Sequence, residues 1–230
     1  MKIIYGEQYD ARWRQARRGK PTASDAKRII TPKGELSRSE TMRAYACQLI
    51  ADLYDPNYFW RDDTYVSAAM KNGSMMEPEA RRYYEMNRGV DVEQVCFCLS
   101  DCERFGCSPD GLVGTDGGLE AKSPEPHTHV SYLLGKVLPV EYKPQVHFCL
   151  AVTGRAWWDF LSYRRGFPPL LVRVEPDDYT ERVRDAIGEF LSVMDDIKRE
   201  LALGDPPPNT IPDELAMDYE PVELPAALAM

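Results

Sequence analysis

Ser108-Pro109-Asp110-Gly111, followed ten residues after the aspartate by Glu120-Ala121-Lys122, is the stretch whose reading decides the fold. Pro109 cannot continue a helix, Gly111 permits a sharp backbone, and Thr115-Asp116-Gly117-Gly118 is a strong turn signal. The spacing predicts a bent antiparallel ribbon with Asp110 and Glu120 on neighbouring strands, close enough to share a hard divalent cation through oxygen ligands. Glu120 and Lys122 are two apart, so on a strand they point to one face. That sets an ammonium beside the negative charge that develops on a phosphorane. Two carboxylates and one ammonium in this order are what a metal-dependent phosphodiesterase needs.

Outward from this ribbon, the patterns alternate between helix and strand. Upstream, Thr22-Ala23-Ser24 offers hydroxyl caps for a helix through Ile30, and a helix N-terminus is a seat for an anion. Arg17, seven residues before Ser24, is near enough to join it; a plain cap beside a solvated arginine is the alternative. Ser37-x-x-Glu40 forms a capping box for a helix over residues 37–55, with Met42, Tyr45, Ala46, Leu49, Ile50 and Leu53 facing the core. Tyr58, Phe59 and Trp60 follow in a loop and read as packed aromatics or as a stacking wedge for bases. A helix over 64–87 is expected to be interrupted at Asn72-Gly73. Its acids, Glu77, Glu79 and Glu85, are ordinary for a helix surface, and charge alone singles out none.

Strands are expected at 92–99, 104–107, 111–113 and 119–122, then a crossover at 124–136 whose His127 and His129 read as solvated or core. Pro144 suits the first turn of a helix to Thr153, with Gln145 at its start and Gly154 as its stop. Two more strands at 157–163 and 170–174 precede a long amphipathic helix over 177–203. The expected fold class is an α/β sandwich with a mixed central sheet. Residues 1–203 read as one domain. Residues 204–230, opening on Pro206-Pro207-Pro208, read as an acidic, proline-rich C-terminal tail with little to pack.

An apolar share of 43% with 28% charged residues is that of an ordinary soluble globular chain. No apolar run approaches the roughly 20 residues of a membrane span, and the first seven residues turn charged too early for a signal peptide. A cytoplasmic protein is expected. The net charge of −9 argues only weakly against DNA, because six acids of the tail account for two-thirds of it. Arg12, Arg14, Arg17, Arg18 and Lys20 meanwhile crowd the N-terminal segment, and local charge within about 10 Å sets the field at a site. The six cysteines match no paired C-x₂-C framework, so reduced buried thiols are expected rather than a zinc or iron–sulfur site.

Several blocks in order carry a resemblance: Arg17-Arg18-Gly19-x-x-Thr22-Ala23-Ser24, then Gly73-x-x-x-Glu77-x-x-Ala80-Arg81, then Cys107-Ser108-Pro109-Asp110-Gly111, Gly118-Leu119-Glu120-Ala121-Lys122 and Pro144-Gln145-Val146. From about residue 13 to 200 the chain resembles the phage lambda exonuclease family, recombination nucleases of viruses and prophages with a restriction-endonuclease-like core. The resemblance implies a mixed central β-sheet flanked by helices. It implies Asp110, Glu120 and the Ala121 carbonyl as primary Mg²⁺ ligands, and Glu77 as the ligand nearest a second Mg²⁺, with Mn²⁺ able to substitute. Lys122 becomes the catalytic lysine, and Gln145 helps to position it or the nucleophile. Arg17, Ser24 and Ser108 match a pocket for a 5′-terminal phosphate.

By the same resemblance the substrate is linear double-stranded DNA with 5′-phosphate ends. One strand is digested 5′ to 3′, leaving a 3′ overhang for single-strand annealing recombination in a bacterial host. The implied partners are two further copies in a homotrimeric ring and a single-strand annealing protein. Ala121 departs from the bulkier apolar residue usual between Glu and Lys, and the acidic tail has no matched counterpart. Alternatives are a single-strand exonuclease or endonuclease of the same superfamily, a non-catalytic DNA-binding module, or a cysteine-ligated cluster protein.

Overall fold

The computed structural model describes residues 1–37, 40–55 and 68–211, with the side chains of 68–75 excepted. The chain opens with β1 (Lys2–Ile4) and α1 (Ala11–Arg17), then a short 3₁₀ helix over Ala23–Arg28. Two longer helices follow, α2 (Glu40–Tyr54) and α3 (Ala68–Arg88). Five strands come next: β2 (Val92–Glu93), β3 (Phe97–Leu99), β4 (Gly106–Cys107), β5 (Gly111–Val113) and β6 (Gly117–Lys122). Helices α4 (Pro126–Gly135) and α5 (Lys143–Thr153) lead to β7 (Trp157–Ser162), β8 (Leu170–Val174) and the last helix, α6 (Asp178–Glu200).

The central sheet has the order β2–β5–β6–β7–β8. All neighbours are antiparallel except β6 and β7, which run parallel with Glu120 opposite Phe160 and Lys122 opposite Ser162. The parallel pair requires a crossover, and α4 and α5 supply it. The expected mixed sheet flanked by helices is thus present. A second, three-stranded sheet, β1–β3–β4, was not expected.

Leu119 and Ala121 pack with Val92, Val113 and Leu161 against Ala80 and Tyr84 of α3. On the other face Trp158, Phe160 and Leu112 join a larger core with α2, α5, α6 and the 3₁₀ helix, including Tyr45, Phe148 and Phe190. Helix ends follow simple chemistry. Asp10 Oδ1 accepts from Trp13 N at 2.7 Å to start α1, Gly154 at φ 65° stops α5, and Asp177 and Thr180 form a capping box on α6.

Four local expectations are corrected. Residues 92–99 are two strands: Glu93 pairs with Leu112 in the central sheet, whereas Phe97–Leu99 pairs with β1 and β4, so both faces from Val95 to Leu99 are buried. The hairpin turn falls at 114–116; Gly117 and Gly118 are strand residues paired with β5 and β7, at positions where a side chain would strike Trp157 and Trp158. Helix α3 runs unbroken past Asn72-Gly73 and through Pro78, held by the packing of Ala80 and Tyr84 beyond it. The segment after Thr22 is a short 3₁₀ helix in which the Thr22 hydroxyl caps nothing.

Of the cysteines, Cys96, Cys98, Cys107 and Cys149 are buried as expected, while Cys47 and Cys102 are exposed, contrary to that expectation. Tyr58, Phe59 and Trp60, the two middle residues 38–39 of the expected capping box and the tail beyond 211 lie outside the described residues.

Candidate active site

The β5–β6 ribbon positions the acids. Asp110 precedes β5, and its backbone N donates to Leu119 O at 3.2 Å, continuing the ladder by one residue. Its Oδ2 accepts from Ala121 N at 2.7 Å, which locks the carboxylate across the ribbon toward Glu120. Glu120 is 1% exposed. Its Oε1 is bound by the Lys122 ammonium and by Gln145 Nε2 at 2.5 Å, so strand parity and the start of α5 bring three expected site residues to one oxygen. The other oxygen, Oε2, is buried without a hydrogen-bond partner.

Glu77 approaches from α3 and pairs with Arg81 at 2.6 Å, while Arg81 Nε donates to Asp110 O at 3.1 Å. Arg81 thus ties the helix to the ribbon. Arg81 carries no role in the motif blocks; its i, i+4 spacing from Glu77 is the signal in the sequence that points to it.

Burial raises the Asp110 carboxyl above its ordinary range, against the pull of Lys122. Burial likewise lifts Glu120, to about 7, with Lys122 pulling it down and the charges of Asp110 and Glu77 adding to the rise. Glu77 is raised by burial and then by Asp110. Burial alone would depress the Lys122 ammonium, but Glu120 and Asp110 outweigh it and hold its pKa above the usual lysine value. Three carboxylates lifted by burial, with Asp110 adding to the rise of both Glu77 and Glu120, form a site short of positive charge.

That is the condition a divalent cation relieves. As they stand, no three His, Cys, Asp or Glu side chains among the described residues converge to enclose a cation, because Glu77 is drawn to Arg81 and Glu120 to Lys122. The donor set itself fits a hard cation: carboxylate oxygens, one of them buried and unpartnered.

The second cluster adjoins the first through Ser108, two residues before Asp110. Arg17, in the last turn of α1, donates to Ser108 Oγ at 3.2 Å, Thr22 Oγ1 at 3.2 Å and Ser24 Oγ at 3.3 Å. The three expected residues are therefore in contact, and Thr22, unforeseen, joins them. Trp13 also went unassigned: its Nε1 donates to Ser108 Oγ at 2.7 Å, and the Arg17 guanidinium lies 4.4 Å from its ring centroid. One turn of helix separates Trp13 from Arg17, a relation visible only once 11–17 is read as a helix.

Burial depresses the Arg17 pKa, and among the described residues no carboxylate pairs with it. A desolvated guanidinium held by hydroxyls is suited to an incoming anion. Arg18, by contrast, turns away. It is 1% exposed and donates to the carbonyls of Asp52, Leu53 and Pro208.

The YqaJ-like viral recombinase domain matches residues 12–156, more than half of the chain and every residue of both clusters. The chain belongs to the YqaJ-like viral recombinase family. This is the lambda-exonuclease-like group that the motif blocks resemble. Among solved structures it is similar to LHK-Exo, an alkaline exonuclease from Laribacter hongkongensis, at 30% identity, with 83% of this chain and 97% of that one covered and a TM-score of 0.66. LHK-Exo in complex with dAMP matches over the same shares at 0.67. A phage-related exonuclease from Haemophilus somnus shares the fold at 12% identity and a TM-score of 0.58, covering 79% of this chain and 96% of that one. No curated protein matches. The core has the restriction-endonuclease-like fold of these exonucleases. Among the described residues no helix is long and apolar enough to cross a membrane.

Proposed function

We propose that this protein is a Mg²⁺-dependent 5′-to-3′ exonuclease that degrades one strand of linear double-stranded DNA and leaves a 3′ overhang. The observation that carries the reading is the adjacency of the two clusters, with Ser108 in the Arg17 cluster and Asp110 in the carboxylate cluster. An end-directed nuclease needs this, a seat for the terminal phosphate a fixed step from the scissile one. The dAMP bound by LHK-Exo is a nucleotide of the kind that stepwise digestion releases.

Asp110, Glu120 and the Ala121 carbonyl would hold one Mg²⁺, and Glu77 would hold a second. Bound there, the ions supply Lewis-acid activation of water and neutralise charge on the phosphate and leaving oxygen. The Lys122 ammonium, kept protonated by Glu120 and Asp110, faces the developing phosphorane charge. Gln145 fixes Glu120 Oε1 and so the orientation of that carboxylate. Arg17, Ser24 and Ser108 bind the 5′-phosphate and set the register of the cut. The substrate duplex, a ring of three copies and a single-strand annealing partner complete the reading. Light scattering tests the ring, whose mass would be three times 26.2 kDa.

Digestion of 5′-phosphorylated, 5′-hydroxyl and covalently closed circular duplexes, each with Mg²⁺ or EDTA, tests the activity. Mg²⁺-dependent loss of the 5′-phosphorylated strand, slower on 5′-hydroxyl ends and absent on circles, is the expected result. Cutting of circles would make the protein an endonuclease and sink the end-binding assignment.

A further inference from the structure

Tyr9 has no task in the reaction outlined above, yet its conformation is costly. Its φ is 76°, a left-handed backbone that a bulky side chain rarely adopts, and the residue is 65% exposed. The conformation is held from both sides. Gln8 Nε2 donates to Pro109 O at 2.9 Å, and Asp10 caps α1. Strain maintained by flanking contacts, on a large ring turned to solvent, points to a use for the ring other than packing.

The surroundings of Tyr9 specify that use. Its ring centroid is 4.8 Å from that of Trp13 at an interplanar angle of 46°, and Trp13 bonds Ser108 and carries Arg17 on its face. Tyr9 also lines a cavity of about 340 Å³ with Gln8, Glu77, Pro109 and Asp110. This lies within the ~300–1,000 Å³ range of small-ligand sites. The ring therefore stands beside both the Arg17 cluster and the carboxylates.

We infer that Tyr9 is a stacking platform for the 5′-terminal nucleobase of the strand being digested, an inference that rests on the exonuclease reading above. A terminal nucleotide with its 5′-phosphate on Arg17 and its 3′-phosphate at Asp110 and Glu120 carries its base sideways, toward the cavity. Stacking suits this position because every base has a π-face, and a processing enzyme must accept all four in turn. Trp13 backs the Tyr9 ring and keeps it from turning away from the base.

The test places the fluorescent base 2-aminopurine at the 5′-terminal position of a phosphorylated duplex, mixed with protein in Ca²⁺ so that binding is read without turnover. Fluorescence is expected to fall with the wild type and with Tyr9→Phe, and to stay high with Tyr9→Gly. In Mg²⁺ digestion Tyr9→Gly is expected to raise KM roughly five- to thirty-fold, with kcat less affected. Glycine adopts this φ freely, so Tyr9→Gly should melt at or above the wild-type temperature.

A clear fall in Tm would mark the ring as structural and overturn the platform. So would quenching that survives Tyr9→Gly, or that follows the probe when it is moved to the 3′-ended strand. Normal digestion by Tyr9→Gly sinks the platform alone. A protein that cuts no DNA yet quenches through Tyr9 sinks the exonuclease reading and leaves the platform standing.

Discussion

At Glu120 burial opposes charge, and the outcome is a pKa of about 7 against an ordinary 4.5. The folded state therefore holds a proton that the unfolded chain has already released. In the cation-free protein, stability from this group falls as pH rises from about 4.5 toward 7. A cation needs the ionised carboxylate, so Mg²⁺ binding near pH 6 is expected to expel protons, and the release should fade above about pH 7. Calorimetric titration in buffers of different ionisation enthalpy measures this directly; binding without proton release at pH 6 would remove Glu120 from the ligand set. Lys122→Ala is expected to lower kcat by about 10²- to 10³-fold while duplex binding persists, read by turnover beside a mobility-shift assay. At this scale the acids and the lysine were legible because strand parity fixes their face. Trp13 and Arg81 were not assigned roles, since their contacts with Ser108 and Asp110 join elements far apart in sequence, and Thr22 was read as a cap rather than as a partner of Arg17.

The element that holds the chemistry is β6, which passes under two tryptophans. A Cβ on Gly118 would lie 2.3 Å from the Trp158 ring, which is wholly buried and has no room to retreat. Gly118→Ala is expected to cost about 1–3 kcal/mol of stability and to lower activity with it, through the displacement of Glu120 and Lys122. Thermal melting and digestion rate should fall together. Asp177→Ala is the contrasting case, removing a capping box on α6 far from the carboxylates in sequence and function. A loss of about 1 kcal/mol, or roughly 2–4 °C in Tm, is expected with digestion rate unchanged at a temperature where both proteins are folded. The long helices, the ribbon and the paired strands β7 and β8 were readable as elements from periodicity. The division of residues 92–99 between two sheets was not, because one apolar run serves a strand of either sheet.

Over the whole molecule, the N-terminal helix is held from below by the end of the described chain. Arg18 donates to Pro208 O at 3.1 Å, Asn209 Nδ2 donates to Gln15 O at 2.9 Å, and Tyr54 donates to Gly204 O at 2.6 Å. The tail was expected to contribute little packing, yet its first residues brace the helix that presents Arg17. A chain ended after Leu203 is expected to melt lower and to show a higher KM on 5′-phosphorylated ends, whereas one ended after Ile211 keeps these contacts. Equal KM values for the two truncations would show that the brace does not reach the site. The sequence by itself determined the α/β class, the ribbon and the order of Asp110, Glu120 and Lys122, because turn chemistry and side-chain periodicity are local properties. Tertiary structure alone decided that Arg17 and Ser108, 91 residues apart, share a hydrogen bond while Arg18 is withdrawn to cap α2. It also decided that Arg81 reaches the Asp110 carbonyl and that Tyr9 stands strained and open beside the cavity. Such pairings depend on how helices dock on a sheet, and docking is set by the packing of the whole core rather than by any single stretch.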